Sequence, residues 1–387
     1  KLNHGMVTIK KSLHLFAIVL FALMPMMSQA TAPQASSQET TEETAEGSVH
    51  ETHVAVDPSS REFVQAYSDH HLMDDHYYSF FGDAEKGTHY GFALPIILID
   101  NGLKVFMSNE DFVYKGKVTE VDGQHYKYYH GKIYKTDAAG TINYDENHHP
   151  TNEKPLDFSI TKNVFGTMLA TLLLFLGFTA LAKTYKKSAN SIPTGIGRFL
   201  EPLVIYVRDE IARPNIGDKK YKKYMPYLLS VFFLIFLLNL MGLTPLGLNV
   251  TGNISVTLCL AMFTFLYTNI SGNKDYWKHI FWMPGVPVLM KIVLMPIEIL
   301  GMFTKPFSLM IRLFANITAG HAVVMGLIAV IFVMQNELTT GGALGVGFLL
   351  STFILVLKIL VSFLQAFIFT MLSSLFIGSA VQEHDHH

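Results

Sequence analysis

Between Ile311 and Val333 nearly every residue is apolar or small, yet Arg312 stands near the start of the run. An arginine at bilayer depth costs roughly 2.5 kcal/mol on insertion scales and more in simulations. It cannot escape by losing its proton, because the guanidinium stays charged. Such a chain can therefore fold only with Arg312 turned to a polar cavity or to a carboxylate. The apolar segments hold few carboxylates, so the expected partner lies on another subunit. Composition agrees with a membrane setting: 50% of residues are hydrophobic and 16% charged. Several apolar stretches approach the ~20 residues that a helical span needs. A net charge of −2 without a basic cluster gives no reason to expect nucleic acid. The single cysteine, Cys259, lies in an apolar segment, which excludes an internal disulfide and a cysteine-built metal site.

The neighbours of Arg312 form a column. At ~100° per residue, Glu298, Lys305, Arg312 and Asn316 lie within about 40° of one angular position, with Ser308 on the same side. Glu298 precedes Arg312 by about 21 Å along the axis, and His321 follows it by about 13 Å on the opposite face. A lone arginine can be a snorkelling side chain; a column of polar groups at helical spacing argues for a function.

The N-terminal third differs. Lys10-Lys11, the apolar run Leu13 to Met27 and Ser28-Gln29-Ala30 follow a signal-peptide pattern over 1–30, with Met6 a candidate start and a retained anchor the alternative. Residues 31–60, rich in Ser, Thr, Glu and Gln, are expected to be a disordered linker. Over 61–158, short segments such as Phe92 to Ile99, Lys104 to Met107 and Gln124 to Tyr129 are divided by Asp-Asn-Gly, Asp-Gly and Gly-Lys. That pattern predicts a small β-rich extracytoplasmic domain. Its histidines (His50, His53, His70, His71, His76, His89, His125, His130, His148 and His149) have no metal-ligand spacing and are expected to be solvated. Residues 383–387 are expected to be a polar tail.

From 159 to 382 the pattern predicts an α-helical polytopic membrane domain with about five spans. Phe165 to Leu181 is the first. Ten basic residues from Lys183 to Lys223 follow and assign that loop to the cytoplasm. Within it, Ile196 to Ala212 is expected to lie on the membrane surface as an amphipathic helix. Tyr227 to Leu243 and Ile254 to Ile270 are the next spans, joined by a link without Lys or Arg. Lys274 and Lys278 return to the inside. Val286 to Met334 is too long for one perpendicular span and predicts a tilted helix, kinked at Pro296 and Pro306, that carries Arg312. Gly345 to Ala380 is the last helix. The N-terminal domain is then outside and the C-terminus inside. In the last helix Lys358 and Gln365 share a face within about 20°. Lys358 and His321 fall on the outer side of the Arg312–Gln365 level, Glu298 and Lys305 on the inner side.

Arg312-Leu313-Phe314-Ala315-Asn316, with Ala319-Gly320-His321 after it and Lys305-Pro306-Phe307-Ser308 before it, resembles the signature of the subunit a family of rotary F-type ATP synthases. Leu364 to Phe369, Asn239 to Pro245 and Thr251 to Thr257 resemble three further blocks, in the family's order, over roughly residues 160–382. The resemblance implies a proton-conducting stator subunit of the Fo sector, not catalytic alone. Its partners would be the c-ring, whose subunits each carry a buried carboxylate, the subunit b stalk and, indirectly, the F1 sector. It implies no cofactor, no metal, and a place in the bacterial inner membrane. Protons would enter past Asn239, Asn253, Ser255, His321 and Lys358, and leave past Asn316 and Glu298. Arg312 would be the gate and the electrostatic anchor, with Gln365 opposite and Lys305 and Ser308 along the column. Two departures stand out. His321 and Lys358 take the place of an acid–histidine pair, and Gly242 follows Asn-Leu-Met where an Asp is common. Asn239 and Asn253 can equally be helix caps, and Ser255 and Thr257 helix-packing residues. Other readings are a secondary transporter, which would usually show internal repeats, a metal-dependent membrane enzyme, and a Na⁺-coupled version of the same subunit. The spans' lack of a carboxylate ligand cluster favours H⁺ over Na⁺.

Overall fold

The computed structural model describes residues 74–83, 88–146, 148–187, 195–244, 248–283, 285–337 and 340–382. The expected signal peptide, the linker, the first residues of the β-rich domain (61–73) and the tail (383–387) lie outside the described residues, as do His50, His53, His70 and His71.

The N-terminal part is built from strands β1 (Tyr77–Asp83), β2 (Thr88–Ala93), β3 (Pro95–Ile99), β4 (Leu103–Met107), β5 (Thr119–Val121), β6 (Gln124–Tyr129), β7 (Lys132–Thr136) and β8 (Leu156–Asp157). They pair antiparallel as β1–β2, β4–β3–β8 and β5–β6–β7. The turns follow from the residues that occupy them. Asp122-Gly123 and His130-Gly131 both take positive φ at two successive positions, 51° and 75°, then 47° and 76°. This is the two-residue hairpin geometry that matches strand twist. A one-turn helix, α1 (Glu110–Val113), is capped by the Asn109 side chain. Its Phe112 packs with Ile96, Leu98, Tyr126, Tyr128 and Ile133 into a small core.

Several buried polar groups inside this domain are paired. Tyr126 donates to Asp100 at 2.8 Å and Tyr128 to Asp75 at 2.9 Å. His76, expected to be solvated, is instead only 2% exposed, with Nε2 3.0 Å from Asp157. Burial alone would lower the His76 pKa and raise that of Asp157. Together with the charges of Asp74 and Asp75 on His76 and the Ser159 hydrogen bonds to Asp157, the contact between them outweighs burial, so His76 is held above and Asp157 below its ordinary value. The stabilisation from His76 is complete below its unfolded pKa and is lost as pH rises through the folded value. That from Asp157 is present above its unfolded pKa and is lost as pH falls through the folded one. In the detergent-solubilised chain, the proteolytic resistance of residues 88–158 is expected to decline as pH rises above about 6.5. The loss is worth about 1–3 kcal/mol. Asp157→Asn should flatten that decline; an unchanged profile would remove the pair from the account.

The rest is helical: α2 (Lys162–Lys187), α3 (Ile196–Tyr206), α4 (Arg213–Ile216), α5 (Tyr221–Gly242), α6 (Ile254–Ser271), α7 (Lys274–Phe281), α8 (Val288–Glu337) and α9 (Thr340–Val381). By length and composition, four are able to cross a membrane: α2, α5, α6 and α9. The fifth long helix is α8, with 50 residues that run unbroken through Pro296 and Pro306. At ~1.5 Å per residue it is about 75 Å long, far more than a ~30 Å hydrocarbon layer, so it cannot stand upright in one. Helix α5 is the hub, with Leu228 to Ile235 almost wholly buried. It packs against α2 and α9, while α8 packs against α6 and α9.

The segment Ile196 to Ala212 is helical in two parts. Its first half is the amphipathic α3, with Ile196 and Phe199 exposed. In its second half Glu210 is exposed and Arg208 and Asp209 are half-buried, opposite a buried apolar face. Val207–Ala212 forms a π-helical turn whose Val207, Ile211 and Ala212 are fully buried. The wider turn leaves the Ile211 carbonyl free to accept from Ser374 Oγ of α9 at 3.1 Å and from Asn215 Nδ2 at 2.7 Å. Apolar residues at positions 207, 211 and 212 suit a buried face, which is what the bundle requires of them.

Candidate functional site

Arg312 is half-buried, as is Asn316. The stripe Leu309, Met310 and Leu313, each at most 5% exposed, turns into the bundle. It lies about 60–160° round α8 from Arg312, while the exposed Phe307 and Ile311 lie about 100–140° the other way. Arg312 thus sits at the seam between the packed face of α8 and an exposed apolar face. Among the described residues no carboxylate pairs with it and no hydrogen bond holds its guanidinium. Gln365 of α9 is 6% exposed, and its Nε2 has no hydrogen-bond partner among the described residues. Among the described residues no hydrogen bond joins the two side chains. Ser308 is exposed on the outer edge of the column.

One end of the bundle, formed by the start of α2, the end of α5 and the start of α6, gathers polar groups. Asn239, 2% exposed, accepts from Thr251 Oγ1 at 3.0 Å, and its Nδ2 has no partner among the described residues. Asn253 caps α6 by accepting from the Ser255 backbone N–H at 2.9 Å. The capping alternative is therefore realised at Asn253, and its Nδ2 stays available. It lies 3.4 Å from Asp74 Oδ2. Asp74 is a residue that sequence reasoning missed. Its contacts reach 89 residues to Asn163 and 179 to Asn253, and no local spacing reveals them. The only sequence signal is the acidic pair Asp74-Asp75 before the first strand. Thr251 was missed as well, although it belongs to the quoted Thr251 to Thr257 block.

Further along, Lys358 is half-buried, and a Cβ placed on Gly320 would stand 3.8 Å from its Nζ. That brings the Lys358 ammonium beside the residue preceding His321. The His321 backbone belongs to α8, but its side chain is outside the described residues. Among the described residues no hydrogen bond joins Lys358 to Asn239 or Asn253.

The opposite end carries the other group. Lys305 lies 5.3 Å from the centre of the Phe376 ring. It lines a small cleft with Thr268, Asn269, Tyr276 and Met302. Tyr276 of α7 donates to Asn269 Oδ1 at 3.2 Å. Burial, and then the charge of nearby Glu298, push the Tyr276 phenol above its usual pKa. Tyr276 and Asn269 were not anticipated: the short helix α7 was read only as a cytoplasmic return, and Asn269 falls at the end of the stretch read as the apolar span Ile254 to Ile270. The arrangement has two polar groups at opposite ends of the bundle and, on the seam of α8, a cation with no carboxylate partner among the described residues. Two separated polar groups with a fixed cation between them suit stepwise transfer of a small ion.

Comparison with known proteins adds the following. A family profile for ATP synthase A chain matches residues 164–378, and a domain of unknown function (DUF8433) matches residues 67–158. The chain is 44% identical over 237 residues to ATP synthase subunit a 2 of Chlorobaculum tepidum, covering 60% of this chain and 66% of that protein. It is 46% identical over 236 residues to ATP synthase subunit a of Chlorobium phaeobacteroides, covering 59% and 68%. It is 39% identical over 277 residues to ATP synthase subunit a of an Anaeromyxobacter species, covering 70% and 62%. The matches thus span about two thirds of those relatives' own lengths.

Proposed function

The chain belongs to the ATP synthase A chain family, and on that premise we propose that it conducts protons past a rotating ring of carboxylate-bearing subunits. It is a multi-pass membrane component of the Fo sector and not a catalyst by itself. The observation that carries the detailed reading is Arg312: half-buried, at the edge of an exposed apolar helix face, without a carboxylate partner among the described residues.

A proton enters from outside through the group formed by Asn239, Asn253 and Ser255 and passes His321 and Lys358. It neutralises a ring carboxylate, which can then turn through lipid at little electrostatic cost. On the inner side the acid meets Asn316, Lys305 and Glu298 and gives up its proton. Arg312 attracts the ionised carboxylate that results and keeps the two polar groups from short-circuiting. Arg312 itself carries no proton, because guanidinium does not titrate at physiological pH. Gln365, buried on α9 with its Nε2 unpartnered among the described residues, orients groups that pass it. A membrane potential supplies about 2.3 kcal/mol per charge per 100 mV, so several protons suffice for one ATP. The c-ring, the subunit b stalk and, through them, the F1 sector are the assigned partners. The N-terminal domain is assigned to the periplasm, the C-terminus to the cytoplasm, and the whole to the bacterial inner membrane.

The test is ATP-driven acidification of inverted membrane vesicles, with and without the chain in the complex. Vesicles with the chain are expected to acidify in Na⁺-free buffer. Those without it should hydrolyse ATP and stay neutral. Acidification without the chain would overturn the reading. A strict requirement for Na⁺ would replace the proton by sodium.

A further inference from the structure

The β-rich domain is not merely tethered to the bundle. Tyr78 and Leu94 belong to the main apolar core, and Phe165 of α2 packs against Tyr78 and Phe92, with ring centres 5.4 and 5.3 Å apart. The first turn of α2 is capped from this domain. Lys162 N–H donates to the Asp75 carbonyl at 2.9 Å, and Asn163 N–H to Asp74 Oδ1 at 2.9 Å. The other carboxylate oxygen of Asp74 is the one 3.4 Å from Asn253 Nδ2.

The three carboxylates at this junction have different duties. Asp75 accepts from Tyr128, and Asp157 is held by His76. Asp74 turns to the membrane helices, and the residue as a whole stays partly exposed. The helices themselves bring little acid to this end. Helices α2, α5, α6 and α9 contain no Asp or Glu, and α8 contains only Glu298, in its first quarter, and Glu337 at its last residue. Asn239, Thr251, Asn253 and Ser255 hold and orient water but do not exchange protons at neutral pH. Ahead of His321 and Lys358, a mouth made only of these amides and hydroxyls has no proton acceptor of its own.

We propose that Asp74 is the proton acceptor at the outer mouth of the conduction path, so that the N-terminal β-rich domain is a working part of the outward half-channel. This rests on the proton-conducting reading above and adds a residue to it. The carboxylate takes a proton from hydronium arriving at the outer surface: an O–H bond forms on Asp74 and water leaves. The acid then returns that proton to water held by the Asn253 amide and the Ser255 hydroxyl, which leaves Asp74 ionised for the next cycle. Burial raises the Asp74 pKa; the Asn163 N–H and the charge of His76 pull it back, while Asp75 pushes it up. The titratable groups facing it are Asp75, His76 and Tyr128 from its own domain and Lys162 from α2. The net effect is a pKa raised above that of an ordinary aspartate.

The experiment must separate this role from capping. Asn caps a helix about as well as Asp but accepts no proton. Asp74→Asn should therefore keep α2 docked and remove only the relay, while Asp74→Glu should restore it. The assay is passive proton flux driven from the outer face through the F1-stripped complex, normalised to assembled complex. Flux through Asp74→Asn is expected to fall by about tenfold to a hundredfold near pH 7, and less at low outer pH where hydronium is abundant. Wild-type flux per assembled complex in Asp74→Asn would overturn the proposal and leave Asp74 a cap. Arg312→Ala is measured alongside. If it leaves ATP-driven pumping intact, the underlying reading fails; if pumping is lost while Asp74→Asn conducts normally, only the inference about Asp74 fails.

Discussion

Inverted vesicles whose complex carries Arg312→Ala are expected to hydrolyse ATP and fail to acidify, with the chain still assembled. The magnitude follows from what the guanidinium does. A ring carboxylate that has lost its proton beside an apolar helix face is a charge in a poorly solvating place, worth several kcal/mol if unpaired. Arg312 is the one group of α8 at that seam able to compensate it at every pH. Each ~1.4 kcal/mol of lost compensation is a factor of ten in rate, so a loss of several kcal/mol removes pumping to the limit of detection. Assembly should survive, because the packed face of α8 is Leu309, Met310 and Leu313, and Arg312 is not held by any carboxylate among the described residues. Arg312→Lys keeps a charge but loses the fork of donors, and should recover little. Pumping at the wild-type rate in Arg312→Ala, with normal assembly on immunoblot, would reduce Arg312 to a snorkelling side chain.

The reach of the sequence follows the range of the forces involved. Helices α2, α5, α6 and α9 are legible because membrane burial demands long apolar runs, and the hairpins at Asp122-Gly123 and His130-Gly131 because positive φ selects those residues. The column on α8 is legible because helical spacing is a local rule. What escapes is set by distant partners. His76 looks like any histidine of a polar domain until Asp157, 81 residues away, closes on it. The π-helical turn at Val207–Ala212 depends on Ser374, which meets the Ile211 carbonyl from α9. Asp74 is separated from Asn253 by the whole β-rich domain and two spans. The grouping of Asn239 with Thr251 was half legible, since both stand in the quoted blocks but only the fold brings their side chains to 3.0 Å.

Gly378→Ala is expected to be as damaging as the loss of Arg312, by a different route. Gly378 lies inside α9, where alanine normally stabilises a helix by about 0.5–1 kcal/mol over glycine. Here a Cβ would run into the backbone carbonyl of Asn215 in α4. A backbone atom cannot swing aside as the end of a side chain can, so either α4 or the end of α9 must move. The neighbouring contacts are anchored to the same place: Ser374 Oγ to the Ile211 carbonyl, Lys220 Nζ to the Val381 carbonyl at 2.8 Å, and the Asn273 N–H to the Ala380 carbonyl at 2.9 Å. Displacing α9 breaks these bonds together and shifts Gln365, 13 residues before Gly378 or about 20 Å along the axis, relative to α8. Overpacking of this kind costs about 1–3 kcal/mol before the lost hydrogen bonds are counted, so the sign of the usual glycine-to-alanine effect is reversed. Gly345→Ala is the control, since it lies in the same helix with open space around the new Cβ. Measured as chain accumulated in the membrane and as pumping per complex, Gly378→Ala should lose most of both and Gly345→Ala neither. Equal behaviour of the two variants would mean that α9 is not locked to α4, and that Gln365 takes its place opposite α8 by some other contact.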